Sequence, residues 1–179
     1  MRAGVRDRRS SATATAWVVT IVATAASAYA LDAIAAGAGV LLAGSGLLRG
    51  LDPSVLLLVL AASYVAWGAG LRVNLRANWA LLQATGTSTN ALSKAAHDLA
   101  RRRGTSERTR RGAAGAGYVG TEVAKEVPYY AGAFGAALTD AVSSADAIVF
   151  LAGANLGAAA YEYGLARLTG VFLRRRRPT

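Results

Sequence analysis

The sequence predicts an all-α, polytopic helical membrane protein: four transmembrane helices, arranged as two hairpins joined by a basic cytoplasmic segment. Three observations carry that prediction. First, long stretches hold almost no charge. Between residues 10 and 48 the only charged side chain is Asp32, and between 53 and 71 there is none. A soluble amphipathic helix needs a polar face along its length, whereas a hydrocarbon core about 30 Å thick needs about 20 mostly apolar residues per crossing. Second, 17 of the 20 basic residues fall in three clusters outside those stretches. Arg2, Arg6, Arg8 and Arg9 precede the first apolar stretch. Arg72, Arg76, Lys94, Arg101, Arg102, Arg103, Arg108, Arg110 and Arg111 fill the middle, and Arg174, Arg175, Arg176 and Arg177 follow the last. Third, basic flanks mark the cytoplasmic side of a span. An even number of crossings must then separate each cluster from the next, and two per interval is the smallest solution. Both termini are therefore expected in the cytoplasm.

In chain order, residues 1–11 form a basic cytoplasmic N-terminus, and 12–83 a first transmembrane hairpin with a cytoplasmic helix extension. The apolar stretch from 12 to 48 exceeds one membrane-limited span. Either one long tilted helix runs through it, or 12–30 cross and 33–48 lie outside or re-enter. Asp32 is expected at the outer boundary. The arginine-rich start, the apolar run and Ala28-Tyr29-Ala30 have the form of a secretory signal with its cleavage site. Alanine is so abundant here that such matches arise by chance, so an uncleaved helix is expected. Asp52 is a suitable N-cap, with Pro53 at the first helical position, where its missing N–H costs nothing.

Residues 84–116 read as a basic cytoplasmic linker containing one short helix. The hydroxyl and amide side chains of 85–90 compete with helical backbone bonds. A helix over 91–103 follows, capped by Asn90, and then a mobile charged linker over 104–112. Residues 117–173 form the second transmembrane hairpin: a helix over 118–142, a tight turn at 143–146 with Ser143 as cap, and a last helix over 147–174. Residues 174–179 are a basic cytoplasmic tail.

Few residues carry chemistry. Gly115, Gly117 and Gly120 spell a dinucleotide-type glycine pattern, but no strand precedes them, so they predict a flexible lead-in to the third span and no cofactor. Glu122, Lys125 and Glu126 are expected at the inner headgroup boundary, as a charge cluster in water or as a cation or proton entrance. Pro128 removes a backbone bond from the same helix. Glu162 and Arg167 lie inside the last apolar stretch, and Glu162 shares a helix face with Asn155, seven residues earlier. Gly153, Gly157, Ala160 and Gly164 form a separate stripe of small residues suited to close helix packing, with Ala159 off it. No cysteine and a single histidine, His97, make a transition-metal site improbable, so no metal is expected. No nucleophile elbow, zinc-protease or phosphate-loop motif is present, so no catalytic residue and no enzyme is expected.

The net charge of +10 is placed by topology, so no nucleic-acid partner is expected. Anionic lipid headgroups are the expected partners of the arginine clusters. Arginine outnumbers lysine 18 to 2, as GC-rich prokaryotic coding would produce. The expected function is that of a small, non-enzymatic, multi-pass protein of a prokaryotic cell membrane. It would act by assembly, as a homo-oligomer or a subunit of a membrane complex. The alternative is a transporter or pore, for ions or protons or holin-like, with a polar path at Asn155, Glu162, Glu122 and Glu126.

Overall fold

The computed structural model describes residues 3–175, with side chains from residue 12 onward. The side chains of the basic N-terminal segment 1–11, and residues 176–179 of the basic tail, lie outside the described residues. The described chain is all-helical: α1 (Ala3–Ser45), α2 (Pro53–Thr85), α3 (Ala91–Arg102), α4 (Glu107–Leu138) and α5 (Ser144–Arg175). Three of these helices are long and apolar enough to cross a membrane, over Ala12–Ser45, Pro53–Thr85 and Ser144–Arg175. Three such helices suggest a membrane location.

α1 takes the single-long-helix form, unbroken through Ala28-Tyr29-Ala30 and through Asp32. Asp32 is thus within the helix. It lies 13 residues before the helix ends, about 20 Å along the axis at about 1.5 Å per residue. α4 is not among the three apolar helices. Arg108, Arg110, Arg111, Glu122, Lys125 and Glu126 occupy its first two thirds. Its uncharged remainder, from Val127, is about 18 Å long, short of a full crossing on its own.

Local chemistry explains the helix ends. Asp52 Oδ1 accepts from the backbone N–H of Ser54 at 2.8 Å, and α2 starts at Pro53. The Ser54 hydroxyl, and after it the Ser54 backbone N–H, hold the Asp52 carboxyl below the usual carboxylate range. Asn90 caps α3 through the Ser93 N–H at 2.9 Å. Ser143 Oγ accepts the Asp146 N–H at 3.0 Å at the start of α5. α4 begins about eleven residues before the position expected from the sequence. Ser106 Oγ accepts the Thr109 N–H at 3.2 Å, and Glu107 stands in the first turn, where the helix dipole favours an acid. That cap converts the segment expected to be a mobile linker into helix from Glu107 onward.

The chain packs as two compact units. One comprises residues 28–74 and 122–165, the other 1–27, 75–121 and 166–179. The first unit is four helical segments of 17 to 22 residues, about 25–33 Å each. Its core holds Leu31, Ala35, Leu56, Trp67, Leu71, Ala133, Ala147 and Leu151. Its outer surface keeps Leu41, Leu58, Val65 and Leu138 exposed, an apolar exterior suited to lipid. Here α5 lies backbone to backbone on α1. A Cβ built on Gly157 would stand 2.7 Å from the Ile34 carbonyl, and one on Gly153 2.7 Å from the Ala38 carbonyl.

In the second unit Asn78, fully buried, holds the 85–90 break. Its Oδ1 accepts from Ser88 Oγ at 2.7 Å and from the Thr89 N–H at 3.1 Å, while its Nδ2 donates to Ser93 Oγ at 3.0 Å. The glycine pattern at 115–120 lies inside α4 and is no lead-in. A Cβ on Gly117 would stand 2.8 Å from the Leu92 carbonyl, so the glycine seats α3 against α4.

Candidate functional site

The polar residues of the 28–74/122–165 unit gather inside it, in two layers. The first layer lies near one end of the four segments. From α4 come Glu122 and Glu126, one turn apart on one face and 2% and 5% exposed. From α5 comes Glu162, fully buried, and from α2 Asn74, also fully buried. Asn74 Nδ2 donates to Glu162 Oε2 at 2.6 Å. Lys125 Nζ donates to Glu122 Oε1 at 2.8 Å and Oε2 at 3.0 Å. Glu126 differs from the other two acids: neither of its carboxylate oxygens has a hydrogen-bond partner among the described residues. Gly70 makes room for this layer, since a Cβ there would stand 3.0 Å from the Ala159 carbonyl and 3.1 Å from Glu162 Cβ.

The second layer is centred on Asn155, seven residues from Glu162 on the same face of α5. Asn155 Nδ2 donates to Ser63 Oγ of α2 at 3.2 Å, and Tyr130 of α4 donates its hydroxyl to Asn155 Oδ1 at 3.2 Å. Between the layers Trp67 presents a buried indole N–H that has no acceptor among the described residues. Beyond the second layer the interior turns apolar. Ala133, Ala147 and Leu151 pack with Leu60, Tyr129, Tyr130, Ala137 and Phe150. Tyr129 of α4 donates its hydroxyl to the Asp32 carbonyl of α1 at 3.1 Å.

The four residues expected to line a polar path, Asn155, Glu162, Glu122 and Glu126, are thus all in one unit and all buried. The Glu122–Lys125–Glu126 cluster, expected in water at the membrane surface, turns inward because its face of α4 packs against the other helices of its unit. Of the expected packing stripe, Gly153 and Gly157 meet α1, whereas Ala160 and Gly164 are exposed. Ala159, placed off the stripe from the sequence, is buried instead and lies against Gly70. Ser63 and Tyr130 were not singled out from the sequence, which expected Trp67 at the inner interface and Asn74 on the cytoplasmic continuation of its helix. Ser63, Trp67 and Asn74 recur at spacings of four and seven along α2, a helical face that could have pointed to them.

Three carboxylates and one ammonium in an apolar-walled interior make an acid-rich site. Among the described residues no group of three acidic or histidine side chains is arranged to hold a metal ion. Cavities of about 720 Å³ and about 570 Å³ are lined by other residues. A proton fits such a site without displacing anything. No protein-family model, no curated protein and no solved structure matches the chain.

Proposed function

We propose that the protein is a four-span, non-enzymatic protein of a prokaryotic cell membrane that moves protons, with Glu126 as the group that takes up and releases them. Glu162, Glu122 and Asn155 form its polar surroundings. One observation carries this reading: Glu126 is 5% exposed, and neither carboxylate oxygen meets a donor. An uncompensated charge in a low-dielectric interior costs several kcal/mol, so a proton or a cation must accompany the carboxylate. The lack, among the described residues, of three acidic or histidine side chains arranged for a metal ion favours the proton. The apolar plug of Ala133, Ala147 and Leu151 supports a path that is polar from one side only and must open to the other during turnover.

Four crossings follow if residues 122–138 of α4 are the fourth span. Three features support this. They pack in one unit with segments of the three apolar helices, their length is close to a hydrocarbon thickness, and their charges face inward. All three arginine clusters then lie on the cytoplasmic side. Single cysteines test the topology. Thr139→Cys should react with an impermeant thiol reagent on intact cells and Ser106→Cys should not. The reverse pattern would refute four spans with the termini inside.

The function is tested with purified protein in liposomes holding a pH-sensitive dye, under a potassium diffusion potential. Wild type should acidify or alkalinise the lumen with the sign of the potential. Glu126→Gln should reduce the rate at least tenfold, as loss of a proton-transfer group does. Flux no faster than in empty liposomes, or equal flux in wild type and Glu126→Gln, refutes the proposal.

Assembly with a second copy is favoured by a separate observation: Ala160 and Gly164 leave small, exposed positions on α5, where another helix could approach closely. A Cβ on Gly164 meets nothing within 4 Å among the described residues, so Gly164→Leu should leave the fold intact and lower the oligomeric mass in detergent. An unchanged mass rules that face out.

A further inference from the structure

Asp32 is the one charged side chain between residues 10 and 48, and it is exposed on the outside of its unit. It is also tied to the acids inside. Tyr129 of α4 donates its hydroxyl to the Asp32 carbonyl at 3.1 Å and lies 3.3 Å from Asp32 Oδ1. Tyr129 stands three residues after Glu126 on the same helix. We infer that Asp32 is a second proton-binding group, which exchanges a proton with Glu126 through the Tyr129 hydroxyl. The path then leaves its unit between α1 and α4 and bypasses the apolar plug. Asp32 in this role presupposes the proton reading of Glu126, and names the group with which Glu126 exchanges.

Residues three apart are neighbours on a helix surface, and a long side chain in a helix leans back over the preceding turn. The Tyr129 hydroxyl therefore lies back toward the level of Glu126, with its proton directed at Asp32. Neither oxygen of Glu126 meets a donor among the described residues, so no bond holds its carboxyl back from that hydroxyl. The other acids of the inner layer are held: Glu122 accepts from Lys125, and Glu162 accepts from Asn74. The charges of Asp32 and Glu126 act on each other, and both act on Tyr129. A lone carboxylate in so long an apolar stretch is costly to keep, and such groups mark proton relays.

The seam between α1 and α4 also has room beside the plug. The cavity of about 720 Å³ is walled by Val40 and Gly44 of α1, by Tyr129 and Gly132 of α4, and by Ala133 and Ala147 of the plug itself. The transfer is balanced. The O–H bond of protonated Glu126 breaks as one forms on the Tyr129 oxygen, and the original Tyr129 O–H bond breaks as one forms on an Asp32 carboxylate oxygen. Tyr129 is neutral before and after, and the negative charge passes from Asp32 to Glu126. Such transfers need heavy-atom distances of about 2.6–3.2 Å. Tyr129 and Asp32 Oδ1 stand at 3.3 Å, and a turn of the Glu126 side chain supplies the other approach.

The full chain in dye-loaded liposomes under a potassium diffusion potential provides the test. Asp32→Asn keeps the shape of the side chain and the backbone carbonyl that Tyr129 meets, so the fold should survive. Its proton flux should fall about tenfold or more, and that of Tyr129→Phe should fall as well. Asp32→Glu restores a carboxyl and should recover most of the flux. Asp140→Asn removes the same charge from an exposed turn, at a φ of +58° that asparagine tolerates, and should leave flux unchanged. Flux equal to wild type in Asp32→Asn or in Tyr129→Phe overturns the relay. Equal loss in Asp32→Asn and Asp140→Asn would reduce Asp32 to one more surface charge. No recovery in Asp32→Glu would leave it a structural contact of Tyr129. In each of these cases a wild type that conducts and a Glu126→Gln that does not would leave the reading of Glu126 standing. A wild type that does not conduct removes both.

Discussion

Lys94 and Glu126 are both buried charges, one in each unit, and the protein treats them in opposite ways. Lys94 is satisfied on every side. Its ammonium meets the Gly86 carbonyl and Asp98, and lies 4.8 Å from the centre of the Trp17 ring. Gly86 can offer that carbonyl because its φ of +69° ends α2 in a conformation that glycine adopts without strain. Among the described residues Glu126 has no hydrogen-bond partner for either oxygen. Glu122, one turn away, holds Lys125, and Glu162 accepts from Asn74. A buried charge with full coordination stabilises a particular arrangement. A buried charge with none is destabilising unless it is neutralised, and its retention points to use.

The comparison is most easily broken at Lys94. Lys94→Met keeps the apolar stem and removes the ammonium, leaving Asp98 and the Gly86 carbonyl without their donor. Breaking one side of a buried pair costs about 3–5 kcal/mol, and the 21% exposure of the Asp98 side chain places this pair at about 3 kcal/mol. The loss should appear as a lower unfolding temperature and a lower denaturant midpoint in detergent. An unchanged midpoint would show that the coordination of Lys94 has no structural value.

Glu162 lies between the two extremes. Glu162→Leu removes the carboxylate that accepts from the buried Asn74 amide and should cost about 1–3 kcal/mol. Glu162→Gln keeps a carbonyl acceptor for Asn74 and should cost less than about 1 kcal/mol. Equal losses in the two variants would mean that the charge, and not the hydrogen bond, holds Glu162 in place.

These contrasts were only partly legible in the sequence. The helical class follows from the uncharged runs, and the caps at Asp52, Asn90 and Ser143 follow from residue type, because each acts within three residues of itself. Asn155 and Glu162 share a face by helical periodicity alone. The burial of Glu122 and Glu126 was not legible: their face of α4 is polar by composition, and only packing against other helices decides whether it meets water. Ala159 shows the same limit. Its burial depends on the close approach of Gly70 from α2, 89 residues away in the chain. Lys94 was read as one more member of a basic cluster, because its partners Trp17, Gly86 and Asp98 come together only after α1, α2 and α3 have packed.

The smallest expected stability change is the most informative. Glu126→Gln replaces a carboxylate by a neutral amide of nearly the same shape. No hydrogen bond is lost, since none reaches either oxygen. The amide brings an NH2 group with two N–H donors that the carboxylate lacked, and Glu122 stands one turn away on the same face as an acceptor. Stability should therefore stay level or rise by about 1 kcal/mol, as when a poorly compensated buried charge is removed. The sign is the decisive quantity. A loss comparable to that of Lys94→Met would mean that Glu126 is held by a partner as firmly as Lys94 is, and the difference between the two sites would disappear. A level or raised midpoint together with lost proton flux would separate the two roles: Lys94 keeps the fold, and Glu126 is kept by the fold at a cost that only its use explains.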